Sequence, residues 1–177
     1  MFIDGILLIN SPIRTQYPPN TIPTGFAILE HILVGNGYAT EFYDVNSFRP
    51  IPTENEIKEY LTKNLENVDL ILLSGMITTY THQKEISFLI KSIKPKIKII
   101  SGGGCASSIP QLMYEKTLID SFVIGEAEDI ILQIIRDFEN NELKTFYHAQ
   151  PLKKHLDEYP IPLYHSLNME TYLKTLM

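Results

Sequence analysis

The chain has 177 residues, enough for one domain with some chain to spare, and its 44% hydrophobic and 20% charged content is ordinary for a globular protein. A formal charge of −6 with no basic cluster disfavours nucleic acid or an anionic membrane as partner, and no run approaches the roughly 20 apolar residues of a membrane span. The one cysteine, Cys105, excludes an internal disulfide or a cluster held by several thiolates, and the first residues lack the basic leader of a signal peptide, so the reading is a soluble cytoplasmic protein.

Gly5–Asn10 reads as a buried strand. Thr24 is expected to cap a helix over about 25–36, with Phe26, Leu29, Ile32 and Leu33 on one face and Gly35 and Gly37 at its end. Thr40–Val45 is a second strand. Thr53 and Glu56 form a T-x-x-E capping box for a helix carrying Ile57, Tyr60, Leu61 and Leu65. Asp69–Ser74 is a third strand, followed by a polar turn over 75–80 and a helix with Ile86, Leu89, Ile90 and Ile93 that Pro95 stops. Lys98–Ser101 runs into Gly102-Gly103-Gly104, and a weaker helix covers about 108–116. Asp120–Ile124 is a fifth strand, closed by Gly125-Glu126, and a helix over about 127–140 buries Ile131, Ile134, Ile135 and Phe138.

Apolar strands that each feed an amphipathic helix predict an α/β fold, a doubly wound five-stranded parallel sheet in the Rossmann-like or flavodoxin-like order 2-1-3-4-5. That order reverses between strands 1 and 3, where ligands favour the crevice. The expected division is an α/β domain over 1–142 and a linker over 143–177, where Tyr159-Pro160-Ile161-Pro162 cannot continue a helix and a short helix follows near Met169–Leu176.

Candidate binding residues sit after strands 1, 3, 4 and 5. They are Ser11 and Pro12; Ser74, Gly75, Met76, Thr78, Thr79 and Tyr80; Ser101, Gly102, Gly103 and Gly104; and Gly125 with Glu126. Small residues admit a ligand close to the backbone, and hydroxyls and amides hydrogen-bond it. The loop after strand 1, SPIRTQYPPN, lacks the G-x-G-x-x-G of a dinucleotide site, and no P-loop is present. Asn10-Ser11 and Ser74-Gly75 stand where a phosphoacceptor receiver needs acids. The histidines at 31, 82, 148, 155 and 165 show no ligand spacing, so neither a metal site nor a catalytic residue is assigned, although His82 lies just after the strand-3 loop. Cys105 follows three glycines near a helix start, a position that favours a thiolate, but has no partner histidine in sequence. Glu126 and Glu128 suit either ligand contacts or capping of the following helix.

Taken in order, several segments resemble the N-terminal cobalamin-binding domain of cobalamin-dependent radical S-adenosylmethionine enzymes. They are GILLINSP, Ile22-Pro23-Thr24-Gly25-Phe26-Ala27, Asp44 at the end of strand 2, Asp69–Met76 with Thr79-Tyr80, Ile99–Gly103, and Asp120–Glu128. Residues Leu156–Tyr172 are similar to that family's linker. The resemblance implies cobalamin as ligand, bound without the D-x-H-x-x-G histidine, because this motif is absent. The lower face of the cofactor would then meet Met76–Tyr80. It also implies that the [4Fe–4S] cluster, S-adenosylmethionine and methyl transfer belong to a C-terminal radical domain, since C-x-x-x-C-x-x-C is absent here.

Two further readings stand beside it. One is a degenerate, cofactor-free domain used for interaction or substrate docking, its site filled by Arg14–Asn20. The other is a small hydrolase or transferase using Cys105 or the Glu126/Glu128 pair, which no spacing supports.

Overall fold

The computed structural model describes residues 3–13, 16–151 and 155–174. Every side chain of strand β1 (Ile6–Asn10) is buried, as a central strand covered on both faces requires. Strand β2 (Thr40–Asp44) lies on one side of it and β3 (Leu70–Ser74) on the other, and β4 (Lys98–Gly102) and β5 (Ser121–Ile124) continue outward. A sixth strand, β6 (Phe146–His148), closes the sheet in the order 2-1-3-4-5-6, and every pairing is parallel. The expected order of the first five strands is therefore observed, extended by a strand from the segment read as a linker.

Alternation along the strands sorts the core into two layers. Leu7, Ile9, Ile71, Leu73 and Ile99 pack with α2 (Glu54–Asn64), α3 (Tyr80–Ile93), α4 (Gly103–Ser108) and α5 (Pro110–Lys116), through Leu61, Ile86, Ile90, Cys105 and Met113. Ile6, Leu8, Leu72, Ile100 and Val123 pack with α1 (Thr24–Gly35) and α6 (Ile131–Glu139), through Phe26, Leu33, Ile131, Ile134 and Ile135. Each fully buried Leu or Ile contributes about 1.5–3 kcal/mol, so the two layers dominate the fold's stability.

Local signals explain most boundaries. Thr53 and Glu56 form the expected capping box, with both reciprocal hydrogen bonds present. Thr24 is instead the first residue of α1, behind Pro23, and makes no side-chain cap. The helix expected over 108–116 is α5, starting at Pro110, whose missing N–H suits a first turn, and an additional helix, α4, begins directly at Gly103.

The C-terminal segment is tied down at four points. The Tyr159 hydroxyl donates to Asp129 Oδ1 at 2.9 Å, and His31 Nδ1 pairs with the Ile161 carbonyl at 2.6 Å. The Leu163 amide donates to the Ala27 carbonyl at 3.0 Å. The last helix, α7 (Met169–Leu173), buries Tyr172 at the carboxyl edge of the sheet.

Candidate cofactor-binding site

The parallel register aligns the strand ends in one row. Asn10 lies opposite Asp44 on β2 and opposite Ser74 on β3, and Ser74 lies opposite Gly102 on β4. The junctions beyond this row are tied to one another. The Ser11 amide donates to the Ser74 carbonyl at 2.9 Å, the Cys105 amide to the Gly75 carbonyl at 3.0 Å, and the Gly125 amide to the Ser107 hydroxyl at 3.1 Å. Gly103 makes the β4–α4 junction possible. It has φ +75°, and a Cβ there would lie 2.5 Å from Ser74 Oγ.

A buried polar chain supports the turn after β3. Ser101 Oγ donates to Gln83 Oε1 at 2.9 Å, and Gln83 Nε2 donates to Thr79 Oγ1 at 2.9 Å. Thr79 Oγ1 donates in turn to the Met76 carbonyl at 2.8 Å. The chain fixes the turn's base on β4 and α3 and leaves Met76, Ile77 and Thr78 exposed above it.

Beside that turn, the edge opens into a cleft of about 110 Å³ on the α1/α6 face. Gly25, Phe26 and Leu29 of α1 form one wall. Leu72 and Ser74 of β3, Ile100, Gly102 and Gly103 of the β4 junction, and Val123 of β5 form its floor. Gly125, Glu126, Ala127, Glu128 and Ile131 close the far side. A Cβ on Gly25 would meet nothing within 4 Å, so the cleft is open at the start of α1. Burial raises the Glu128 carboxyl against a hydrogen bond from its own backbone amide, and the charges of Glu126 and Asp129 add to the rise.

Of the residues expected at the site, Ser74, Gly102, Gly103, Gly125 and Glu126 line this cleft. Gly75 and Gly104 sit at its rim in the paired junctions: Gly75 abuts Thr79 and Ser11, and Gly104 lies against Met76. Thr79 and Ser101 are buried in the polar chain, and Tyr80 packs on the opposite core. Ser11 is buried, and its hydroxyl has no hydrogen-bond partner. Pro12 faces a second cleft of about 180 Å³ on the α2/α3 face, together with Val45, Ile51 and His82. His82 pairs there with Glu85 at 3.7 Å, and no metal-binding group of side chains occurs among the described residues. Cys105 is fully buried, and its thiol is pushed up to about 11 by burial, which disfavours the thiolate. Arg14 and Thr15, part of the loop expected to fill the site in a cofactor-free domain, lie outside the described residues.

Sequence reasoning missed three contributors. Phe26 and Leu29 of the α1 wall were expected on the buried face of their helix but not as lining of the cleft. Gln83 looks like an ordinary polar residue of an amphipathic helix. Tyr172 is 128 residues from its partner, Asp44. Asn10 Nδ2 donates to Asp44 Oδ1 at 2.8 Å, and Tyr172 donates to Oδ2 at 2.6 Å. Burial raises the Asp44 carboxyl despite these bonds.

Residues 11–135 match the family model of the B12 binding domain, a span that begins directly after β1 and contains the cleft and all but the last turn of α6. The chain belongs to the B12-binding domain family. Among solved structures, this B12-binding domain is similar to the radical S-adenosylmethionine methyltransferase TsrM from Kitasatospora setae, solved with tryptophan substrate and an S-adenosylmethionine analogue bound. The two share 19% identity with a TM-score of 0.64, over 80% of this chain and 27% of that one, which shows a common fold. The domain thus spans about a quarter of that methyltransferase's length. An α-glucosyltransferase in complex with UDP is also similar, with 14% identity and a TM-score of 0.46 over 83% of this chain and 44% of that one, too remote to bear on function. No curated protein matches the chain. No helix among the described residues is long and apolar enough to cross a membrane.

Proposed function

We propose that this B12-binding domain holds cobalamin along the carboxyl edge of its sheet, as the corrinoid module of a radical S-adenosylmethionine methyltransferase. The observation that carries the reading is the cleft between α1 and β3–β5, which opens on the Ser74–Gly102–Gly103 row in a chain of this family. The donor set fits the cofactor. An apolar slot suits the arm of a large corrinoid. Glycines at 75, 102, 103, 104 and 125 keep the rim free of side chains, and the exposed Met76–Thr78 turn offers a platform beside it. The Ser11 hydroxyl, buried and unpartnered at the same edge, is a donor in reserve.

Ser74, Gly102, Gly103, Gly125 and Glu126 would line the seat, with Ser11, Gly75, Met76, Thr78 and Gly104 near it, while Thr79 and Ser101 would support the turn from the buried polar chain and Pro12 and Tyr80 lie on the other face. Cobalamin, when bound, supplies the methyl-carrying reactivity. The chain's own residues would bind it and orient it, and the exposed Met76–Thr78 turn would help to keep water from it. The segment after β1, Asn10-Ser11-Pro12-Ile13, carries no histidine that it could offer to the cofactor. The [4Fe–4S] cluster and S-adenosylmethionine would reside in a further domain, because Cys105 alone cannot hold a cluster.

Anaerobic gel filtration with hydroxocobalamin tests the reading. Co-elution of a coloured corrinoid with the protein peak is expected. A colourless protein peak would instead favour a cofactor-free interaction domain.

A further inference from the structure

The buried polar groups at the carboxyl ends of β1 and β2 form a chain with a fixed direction. Tyr172 of α7 gives its one proton to Asp44 Oδ2, so its oxygen is left to accept from Asn46 Nδ2 at 3.3 Å. That bond turns the Asn46 amide so that its oxygen faces the Ile13 amide, which donates to it at 2.9 Å. The Asn46 carbonyl accepts from Arg49 Nη1 at 2.8 Å, and Arg49 Nε donates to the Tyr17 carbonyl at 2.5 Å. Two points of the loop between β1 and α1, Ile13 and Tyr17, are thus held around one residue whose orientation is set from α7. Asp44, Asn46 and Tyr172 are each more than nine-tenths buried, so water offers no ready substitute for a lost partner. The start of the same loop lies against the junction after β3. The Ser11 amide donates to the Ser74 carbonyl, and a Cβ on Gly75 would lie 3.2 Å from the Ser11 Cβ. A chain of contacts therefore runs from α7, through Asn46 and the loop, to Ser74 and Gly75.

We infer that Tyr172 is a positioning residue: α7 acts as a latch that, through Asn46, sets the loop after β1 against Ser74 and Gly75, so that latching and ligand binding at this edge support each other. The support for the ligand rests on the proposed binding of cobalamin, whereas the hold on the loop belongs to the free chain. Coupling of this kind is reciprocal. Loosening α7 weakens the ligand, and the ligand holds α7 down by the same factor.

Amide hydrogen exchange at Ile13, followed by NMR in the full chain without ligand, tests the latch. Tyr172→Phe keeps the ring and is expected to speed exchange at Ile13 about tenfold, the size of one hydrogen bond. Asn46→Ser is expected to do the same, and the double variant to exchange no faster than either single one, because both break one chain. An unchanged Ile13 rate in Tyr172→Phe overturns the latch, and so do accelerations that multiply in the double variant. Absorbance titration with hydroxocobalamin tests the coupling. Tyr172→Phe is expected to bind it about tenfold more weakly, and bound corrinoid to slow exchange at Ile13 in the parent chain. Equal affinity of parent and variant, with Ile13 loosened, overturns the positioning role while leaving cobalamin binding intact. Failure of the parent chain to bind hydroxocobalamin overturns the cobalamin reading, and the exchange rates of the free chain then decide the latch by themselves.

Discussion

The hydroxyl of Tyr172 donates to Asp44 Oδ2 at 2.6 Å, and Asn46 Nδ2 donates to the same hydroxyl at 3.3 Å. One aromatic side chain from α7 thus joins the end of β2 to the segment after it, and Asn10 carries the link on to β1. Tyr172→Phe keeps the packing and leaves Asp44 and Asn46 each short of a partner. It is expected to cost about 1–3 kcal/mol of unfolding free energy in urea. Limited proteolysis is expected to cut the 159–173 segment faster.

The same carboxylate gives the protein a pH dependence. Burial raises the folded-state pKa of Asp44 above its unfolded value, so folding favours the protonated form. Its contribution is full below the ordinary carboxylate pKa of about 4 and is lost as pH rises through the raised value. The groups around it all oppose the shift, the Tyr172 hydrogen bond most, then Asn10, the Asn46 backbone and the charge of Arg49. In Asp44→Asn this component vanishes. The stability difference between parent and variant, followed by thermal unfolding across acidic to neutral pH, is expected to fall with rising pH. A flat difference would contradict the assignment.

Gly103 is expected to tolerate no side chain. Its φ of +75° is unfavourable for any other residue, and a Cβ would press on Ser74 Oγ at 2.5 Å. Gly103→Ala should lose about 1–3 kcal/mol from backbone strain, before any shift of Ser74 is counted. Chemical denaturation measures this directly, and corrinoid retention should fall with it.

His82 provides the test of histidine-free binding. It lines the second cleft and pairs with Glu85, on the other face from the cleft at α1. His82→Ala is therefore expected to leave the absorbance and electron paramagnetic resonance spectra of bound corrinoid unchanged. A spectral change in this variant would assign the histidine to the cobalt.

The fold was largely legible because its signals are local. Five apolar runs, each followed by a helix with its own stop at Gly37, Pro95 or a polar turn, specify a doubly wound sheet. β6 escaped because Phe146-Tyr147-His148 is too short to show a period. It forms through distant partners: Phe146 stacks on Phe122 at 5.6 Å, and the Tyr147 hydroxyl donates to Asp137 at 2.8 Å. The glycine row at the rim was legible for the same local reason, since strand ends in a parallel sheet share one edge. The α1 wall, Gln83 and Tyr172 were not. Each acts through neighbours far along the chain, and its residue type is unremarkable where it stands. Gly102-Gly103-Gly104 also proved to be a strand–helix junction, with α4 starting inside it.

The central claim, that the cleft beside α1 seats cobalamin, is tested most directly at Gly25. A Cβ there meets nothing within 4 Å, so Gly25→Leu leaves the fold intact while placing a side chain at the cleft's mouth. Equilibrium dialysis of hydroxocobalamin against both proteins, without oxygen, is the measurement. The parent chain is expected to retain corrinoid stoichiometrically, and Gly25→Leu to retain little with an unchanged unfolding transition. Equal retention by the two proteins, or none by the parent, would contradict the account.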